Sequence, residues 1–493
     1  MKQPGQSGFP DPSLGWRLGV SFAVVALLYL DPVPQSMALN ILDLATSLVD
    51  HGSVLLDEYR GIDVALREGF VLSGMPPGAS FAAAVVYLVF HPIFELVPSG
   101  SVLPLLNVLC TILLGIPAAT LTVCVVYHIA LRWGSSPRDA LLTAGLLAFG
   151  TMHFGYATGF YKNTLAAACL LSAFWFLTPP KGGCISESLA GLAGLLSGLA
   201  IGQDYASALI ALGLGGYLVL VRARLTVVAV YAIGTAAALL PVLVYHQVAF
   251  GAPWLTSYHY IPQITEKGLT VPRPYAFLYL LVTLLAASPC LVWSIVGWKR
   301  AMQIRELRPA MITIAGLMFA TLLLHSGWAG GRPYAHETNF ASRYLLSVVP
   351  FCVLPMSFGL PPSLKSWPMV IIGWSIAATF LAAQASMIPW GTVPLLYSLK
   401  VLFTSWGTGP FFSETIASWL GIPTLHQAIA HGVISRSVLF EPGNRELLFS
   451  LLLGQALIKM MSLVVTAVAA LLLWRFVWRP VVIGRSQVPC ALR

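Results

Sequence analysis

The chain has 493 residues, 57% of them hydrophobic and only 9% charged, with a mean hydropathy of +0.82 and a formal net charge of +9. A soluble globular domain is about one quarter charged, so this composition excludes a water-soluble surface and makes lipid the solvent for most of the chain. The basic excess does not point to nucleic acid, because Lys and Arg in membrane proteins mostly sit in cytoplasmic loops and set orientation.

A bilayer core needs ~20 apolar residues per helix. A lipid-exposed open strand would leave backbone groups unpaired, so long apolar runs read as helices. In chain order they fall at roughly 16–31, 102–131, 139–152, 163–178, 188–203, 205–221, 225–248, 275–297, 309–327, 343–360, 367–388 and 447–474. The pattern predicts an all-α polytopic membrane protein with about twelve transmembrane helices. Interfacial helices are expected in a long first outer loop, 32–101. The first apolar run lacks a small-residue cleavage site after it and reads as a retained span. Residues 1–360 form one transmembrane module, and 361–493 add C-terminal helices, an outer segment at 389–446 and a basic cytoplasmic tail. The seven cysteines mostly lie in apolar runs with no CxxC spacing, and read as small buried hydrophobes.

The run 79–97 is long enough to cross, but "HPIFE" breaks its second half. If it does not cross and the N-terminus is cytoplasmic, Arg17, Arg132, Arg138, Arg222, Arg224, Lys299, Arg300, Arg305, Arg308 and Arg475 all lie inside. The positive-inside rule favours that arrangement, so 79–97 reads as a helix that dips in or lies along the interface. Both termini are then cytoplasmic. Most carboxylates, and nine of the ten histidines, lie on or near the outer side.

Within the first outer loop, Asn40, Asp43, Ser47 and Asp50 fall on one helical face. They predict an interfacial helix whose polar side meets water or lines a cavity. Asp57, Glu58, Arg60, Asp63, Arg67 and Glu68 then follow within twelve positions. Carboxylates at a membrane surface serve as general bases when a hydroxyl acceptor lies beside them, and Asp57 and Asp63 fit that role, with Glu58 in support. Arg67 and Glu68 read as a solvated charge face. In "SGMPPG", Pro76 and Pro77 predict an extended entry and Gly78 a release into the next helix. Asp204, between two apolar runs, is expected to cap a helix N-terminus. His153, His259, His325 and His336 lack the i, i+4 spacing of a ligand pair. No cofactor is called for, and the spacing does not favour a divalent metal.

The segment "HGSVLLDEYRGIDVALREGFVLSGMPPGASFAAAVVYLV" resembles the first extracytoplasmic loop of bacterial GT-C glycosyltransferases, polyprenyl-phosphate-sugar-dependent enzymes related to protein O-mannosyltransferases. Asp57, Asp63, Gly69, Ser73 and Pro76–Gly78 carry the match. "FGTMHFGYATGFYKNTLAAA", "VYHQVAFGAPWLTSYHY" and "WAGGRPYAHETNFASRYLLSVVPF" are similar to three later motifs of that family, in the expected order. Together they cover most of the first 360 residues. Gly74 and Met75 stand where the family carries an Asp-Lys pair, and Asn163 where it carries a histidine. After the first span, Asp31 and Asp43 are the nearest counterparts of its Asp-Glu pair, and Asp43 joins the catalytic candidates.

The resemblance implies inverting transfer of a sugar from a polyprenyl-phosphate donor to an acceptor hydroxyl, at the outer face of a bacterial plasma membrane. The acceptor is a lipid, a glycan or a protein. The donor phosphate needs cationic partners at headgroup depth. Arg343 is the first candidate because guanidinium grips phosphate in a bidentate way. Lys162 is the second, and Tyr344 donates to the phosphate or joins the aromatic belt. His153 and Asp204 are supporting candidates. A transporter or lipid flippase is the alternative, as is an inactive scaffold of the same fold. Mid-span charge, which a transporter needs, is nearly absent.

Overall fold

The computed structural model describes residues 13–30, 36–56, 64–180, 183–261, 271–327, 342–362, 367–385 and 471. Asp57, Glu58 and Asp63, the outer segment 389–446 and the last predicted span, 447–474, lie outside the described residues, Leu471 apart.

Helix α1 (Ser13–Leu28) is followed by α2 (Ser36–Asp50). Most of the polar side of α2 meets protein rather than water. Asn40, Asp43 and Ser47 are buried, as are Ile41, Leu42, Leu44 and Ala45. The helix is enclosed by protein on both its polar and its apolar sides, packing along α3 (Gly78–Phe94). Asp50, at its C-terminal end, pins the pair: Tyr87 Oη donates to its Oδ2 at 3.0 Å, and His91 Nε2 lies 3.3 Å from its Oδ1.

The charged stretch is not helical where it is described. Val64–Arg67 (β1) and Phe70–Ser73 (β2) form an antiparallel hairpin, with Val64 opposite Ser73 and Arg67 opposite Phe70. β-Branched and aromatic residues favour strands. The two-residue turn, Glu68–Gly69, takes positive φ at both positions (53° and 86°), as tight hairpins require. Leu56, Val64, Ala65 and Leu72 bury against Tyr245, Ala249, Phe250 and Ile261 in a small second core. Arg67 is therefore not a solvated charge: it donates to Ala249 O at 3.0 Å, at the C-terminal end of a long helix whose last carbonyls lack intrahelical partners. Glu68 is solvent-exposed, as expected.

The bundle follows. α4 (Ser99–Cys110), a π turn (Thr111–Gly115) and α5 (Ile116–Arg132) form one 32-residue span, Ser101–Arg132. Next come α6 (Pro137–Gly150), α7 (His153–Ala157), α8 (Lys162–Leu177), α9 (Glu187–Gln203), α10 (Ser207–Leu220) and α11 (Leu225–Phe250). A seam of small residues joins α9 to α11. Gly194 and Gly198 face the Tyr231 and Thr235 carbonyls, and Gly234 faces Gly191. Without a hydrophobic force between helices in lipid, such close backbone packing supplies the attraction. Tyr231 Oη ties the seam to Ser197 Oγ (2.9 Å) and to Ala211 O (2.8 Å).

Two predicted spans are broken. The run 275–297 is α12 (Pro274–Ala287) and α13 (Val292–Ala301), with a bend of 106° at Pro289. The run 343–360 begins with a 3-10 turn at Arg343–Leu345 and continues as two short helices, α15 (Val349–Val353) and α16 (Met356–Gly359). Proline removes a backbone donor and interrupts a helix, and Pro289, Pro350 and Pro355 stand at these breaks. Between them lies α14 (Arg308–Ser326), and α17 (Trp367–Ala385) closes the described part. Among the described residues three helices are long and apolar enough to cross a membrane, or four if the bent pair counts as one span. Other apolar helices, α3, α8 and α10 among them, are shorter.

The "PPG" turn has a packing reason. Pro77 already has helical angles (φ −76°, ψ −12°) and caps α3 rather than extending into it. A Cβ on Gly78 would sit 2.6 Å from Gly202 O, at the end of α9. Gly78→Ala is therefore expected to force these backbones apart and lower the melting temperature in detergent. Gly216→Ala, on an open face of α10, is the matched control and is expected to leave it unchanged or raise it.

Candidate functional site

The contact of Gly78 with Gly202 brings the segment between α2 and α3 to the α9–α10 junction, where Asp204 lies. Asp204 does not cap α10. Its Oδ1 accepts from Lys162 Nζ at 2.8 Å and its Oδ2 from Asn163 Nδ2 at 2.9 Å. The side chains of Lys162 and Asp204 are each 3% exposed, so the pair is out of solvent and both carboxylate oxygens are occupied. Lys162 and Asn163 open α8. A cation at a helix N-terminus is disfavoured by the helix dipole, and the carboxylate offsets that. Two of the three ammonium donors of Lys162 lie beyond the bond to Asp204.

Tyr205, next in sequence, extends the network. His246 Nδ1 lies 3.1 Å from the Pro253 carbonyl, which can only accept, so Nδ1 carries the proton. His246 Nε2 is then the acceptor of the Tyr205 hydroxyl, at 2.7 Å. This bond anchors the segment after α11. There, Ser257 Oγ donates to Gly74 O at 2.9 Å, inside "SGMPPG". Beside it, Tyr258 packs edge-on against Tyr205 (5.3 Å). Burial, with the negative charge of Asp204 next in weight, holds the Tyr258 phenol well above its ordinary pKa, and Arg343 pulls the other way. Burial likewise raises Tyr205. Both phenols are neutral donors at any physiological pH.

The last contributors come from the end of α14 and the 3-10 turn. The Arg343 guanidinium lies over the Tyr344 ring at 5.4 Å. Tyr344 stacks on His325, with centroids 4.7 Å apart and planes at 19°. His325 feels both Asp204 and Lys162, and Tyr258 feels Arg343 and Tyr344. Lys162, Asp204, Tyr205, Tyr258, His325, Arg343 and Tyr344 thus gather at the same end of alternating helices: the start of α8, the junction of α9 and α10, and the ends of α11 and α14.

Of the candidates read from the sequence, Lys162, Asp204, Arg343 and Tyr344 are brought together. Asp43 is buried in α2, with its carbonyl accepting from Thr46 Oγ1 at 2.9 Å. His153 is elsewhere. It lies in the core, stacked on Phe22 at 5.8 Å with Nε2 3.1 Å from Ala119 O, and it has no described contact with the cluster. The sequence reading gave no role to Tyr205, His246, Ser257 or Tyr258, although the last three lie in the quoted "VYHQVAFGAPWLTSYHY" motif. No group of three or more metal-ligating side chains occurs among the described residues.

No protein-family model matches this chain, and no curated protein does. A solved structure does: ArnT from Cupriavidus metallidurans bound to undecaprenyl phosphate. The TM-score is 0.54 at 16% sequence identity, over 95% of this chain and 78% of that one. The fold is GT-C-like. The chain is an integral membrane protein, with apolar helices of spanning length.

The ion pair gives a direct test. Removing one partner of a buried pair leaves an unpaired charge and typically costs about 3–5 kcal/mol, whereas replacing both is often neutral. Asp204→Asn is expected to lower the melting temperature of the detergent-solubilised protein sharply. Lys162→Met with Asp204→Asn is expected to recover most of the loss.

Proposed function

We propose that the protein is a membrane glycosyltransferase that moves a sugar from a polyprenyl-phosphate donor to an acceptor hydroxyl at the outer face of the membrane. The observation that carries this reading is the convergence, in a GT-C-like fold, of a buried Lys162–Asp204 pair with Arg343, Tyr344 and the "SGMPPG" end of the first outer loop. ArnT, which shares the fold, was solved with undecaprenyl phosphate bound. Arg343 adds a guanidinium beside the Lys162–Asp204 pair, a group whose geometry suits a phosphate.

In the proposed reaction the acceptor oxygen attacks the anomeric carbon from the face opposite the phosphate. The bond between that carbon and the phosphate oxygen breaks, and the lipid phosphate leaves with the electron pair. Arg343 and the spare donors of Lys162 stabilise the growing charge, and Tyr344 donates in support. A carboxylate takes the acceptor proton. Asp57 and Asp63 are the proposed bases, with Glu58 beside them and Asp43 as a third carboxylate. Leu56 and Val64, which flank that stretch, are both anchored in the small core beside Tyr245.

Charge placement supports an outward-facing site. Arg132, Arg222, Arg224, Arg300 and Arg308 stand at or beside the opposite helix ends. By the positive-inside rule those ends are cytoplasmic. The bend at Pro289 suits a transporter, whose binding sites form at broken helices. This break is instead closed by uncharged contacts, Met152 N to Ser288 Oγ (3.3 Å) and Cys290 N to Ser375 Oγ (2.9 Å).

The test is sugar transfer in proteoliposomes from a labelled polyprenyl-phosphate donor to extracted envelope acceptors. Asp57→Asn or Asp63→Asn is expected to cut turnover by about 10²-fold or more while donor binding persists. Unchanged turnover in both variants removes them as the base.

A further inference from the structure

We infer that His325 is a direct contact of the bound ligand, donating a ring N–H to an oxygen of the lipid-linked phosphate. The inference rests on the function proposed above and adds a binding residue to it.

His325 is 8% exposed, and among the described residues neither Nδ1 nor Nε2 has a hydrogen-bond partner. That is costly. A buried polar group without a partner keeps its full desolvation penalty, and nearly all such groups in folded proteins are paired. The other histidines of this region are engaged: His246 uses both nitrogens, and His259 lies 3.3 Å from Thr256. His325 alone among these is held in place by its ring face, stacked on Tyr344, with its edge left unbonded.

Its surroundings define what would satisfy it. The charged groups that bear on the ring are Asp204 and Lys162, and Arg343 lies next to the tyrosine that stacks on it. Each oxygen of Asp204 already accepts a bond, from Lys162 and from Asn163. A second anion is the ligand that fits: it would find Arg343, the spare Lys162 donors and one imidazole N–H. Asn163 Oδ1 and Gln203 Oε1, beside the same pair, are likewise buried without partners. They are acceptors, which suits hydroxyl groups carried by the same ligand. An imidazole N–H adds a directional hydrogen bond to those of the two cations.

The inference makes a prediction that a structural role does not. His325→Phe keeps the flat ring on Tyr344 and removes two orphaned nitrogens. The ligand-free variant is expected to melt at the wild-type temperature or above it. Its affinity for undecaprenyl phosphate, measured by the ligand-dependent shift in melting temperature, is expected to fall about tenfold or more, the scale of a lost hydrogen bond to a charged group. His325→Asn, which restores a donor, is expected to recover part of it. Inorganic phosphate and unphosphorylated undecaprenol serve as the other two probes. Binding of undecaprenyl phosphate alone points to the lipid headgroup, and binding of inorganic phosphate as well points to a free anion site; both are read against the Phe variant. A Phe variant that binds as well as wild type, or that melts lower without ligand, overturns the role of His325. Wild type that binds none of the probes overturns the functional reading itself, and Arg343→Gln, expected to lose binding with His325 intact, separates the two failures.

Discussion

One end of this bundle depends on one desolvated ion pair. Lys162 and Asp204 come from different helices, α8 and the α9–α10 junction, and meet where almost no water reaches either charge. Such a pair gains little net stability over apolar residues of the same size, but each charge needs the other. It therefore fixes a register. α8 cannot slide against α9 without stranding a charge, and α8 is held again at its far end. There Arg132 donates to the carbonyls of Trp175 and Thr178 and lies over the Trp175 ring at 5.2 Å.

Glycine sets the distances around that pair. The α9–α11 seam lets two backbones touch, and the same helix ends in Gly202, against which Gly78 rests. The segment between α2 and α3 is thereby brought to Asp204. From there the chain of contacts runs through Gly74 and Ser257 to Tyr258, and on to Arg343 and Tyr344. Small residues fix backbone positions, and the polar network is built on them. The hairpin, the second core and the Arg67 contact with α11 hold the other end of the loop.

Much of this was legible from residue types. Long apolar runs place the α4–α5 span, α8, α9, α11 and α14 within a few residues of their observed ends, because lipid tolerates few alternatives to helix. Lys162 and Arg343 stood out as cations beginning apolar runs, and both belong to the cluster. What the sequence hid was pairing. Asp204 looks like a cap when read locally, and its partner lies 42 positions earlier. The hairpin hid inside a charge-rich stretch, because Arg67 counts as polar until α11 supplies a carbonyl. For the polar face of α2 periodicity allows either water or an interior cavity, and the choice depends on helices distant in sequence. The breaks near Pro289 and Pro350 were visible as prolines, but apolarity alone argued for continuity. His325 resembles any histidine in an apolar run until its neighbours are known.

The account places an anionic headgroup among Arg343, Lys162 and His325, at the end of the bundle opposite the arginine-rich helix termini. The most direct test is a cryo-electron microscopy map of the protein in nanodiscs containing undecaprenyl phosphate. The account predicts phosphate density within hydrogen-bonding distance of the Arg343 guanidinium and the His325 ring, with the lipid tail running down the bundle. Phosphate density at the Arg132 or Arg300 end, with the Arg343 region empty, would contradict it.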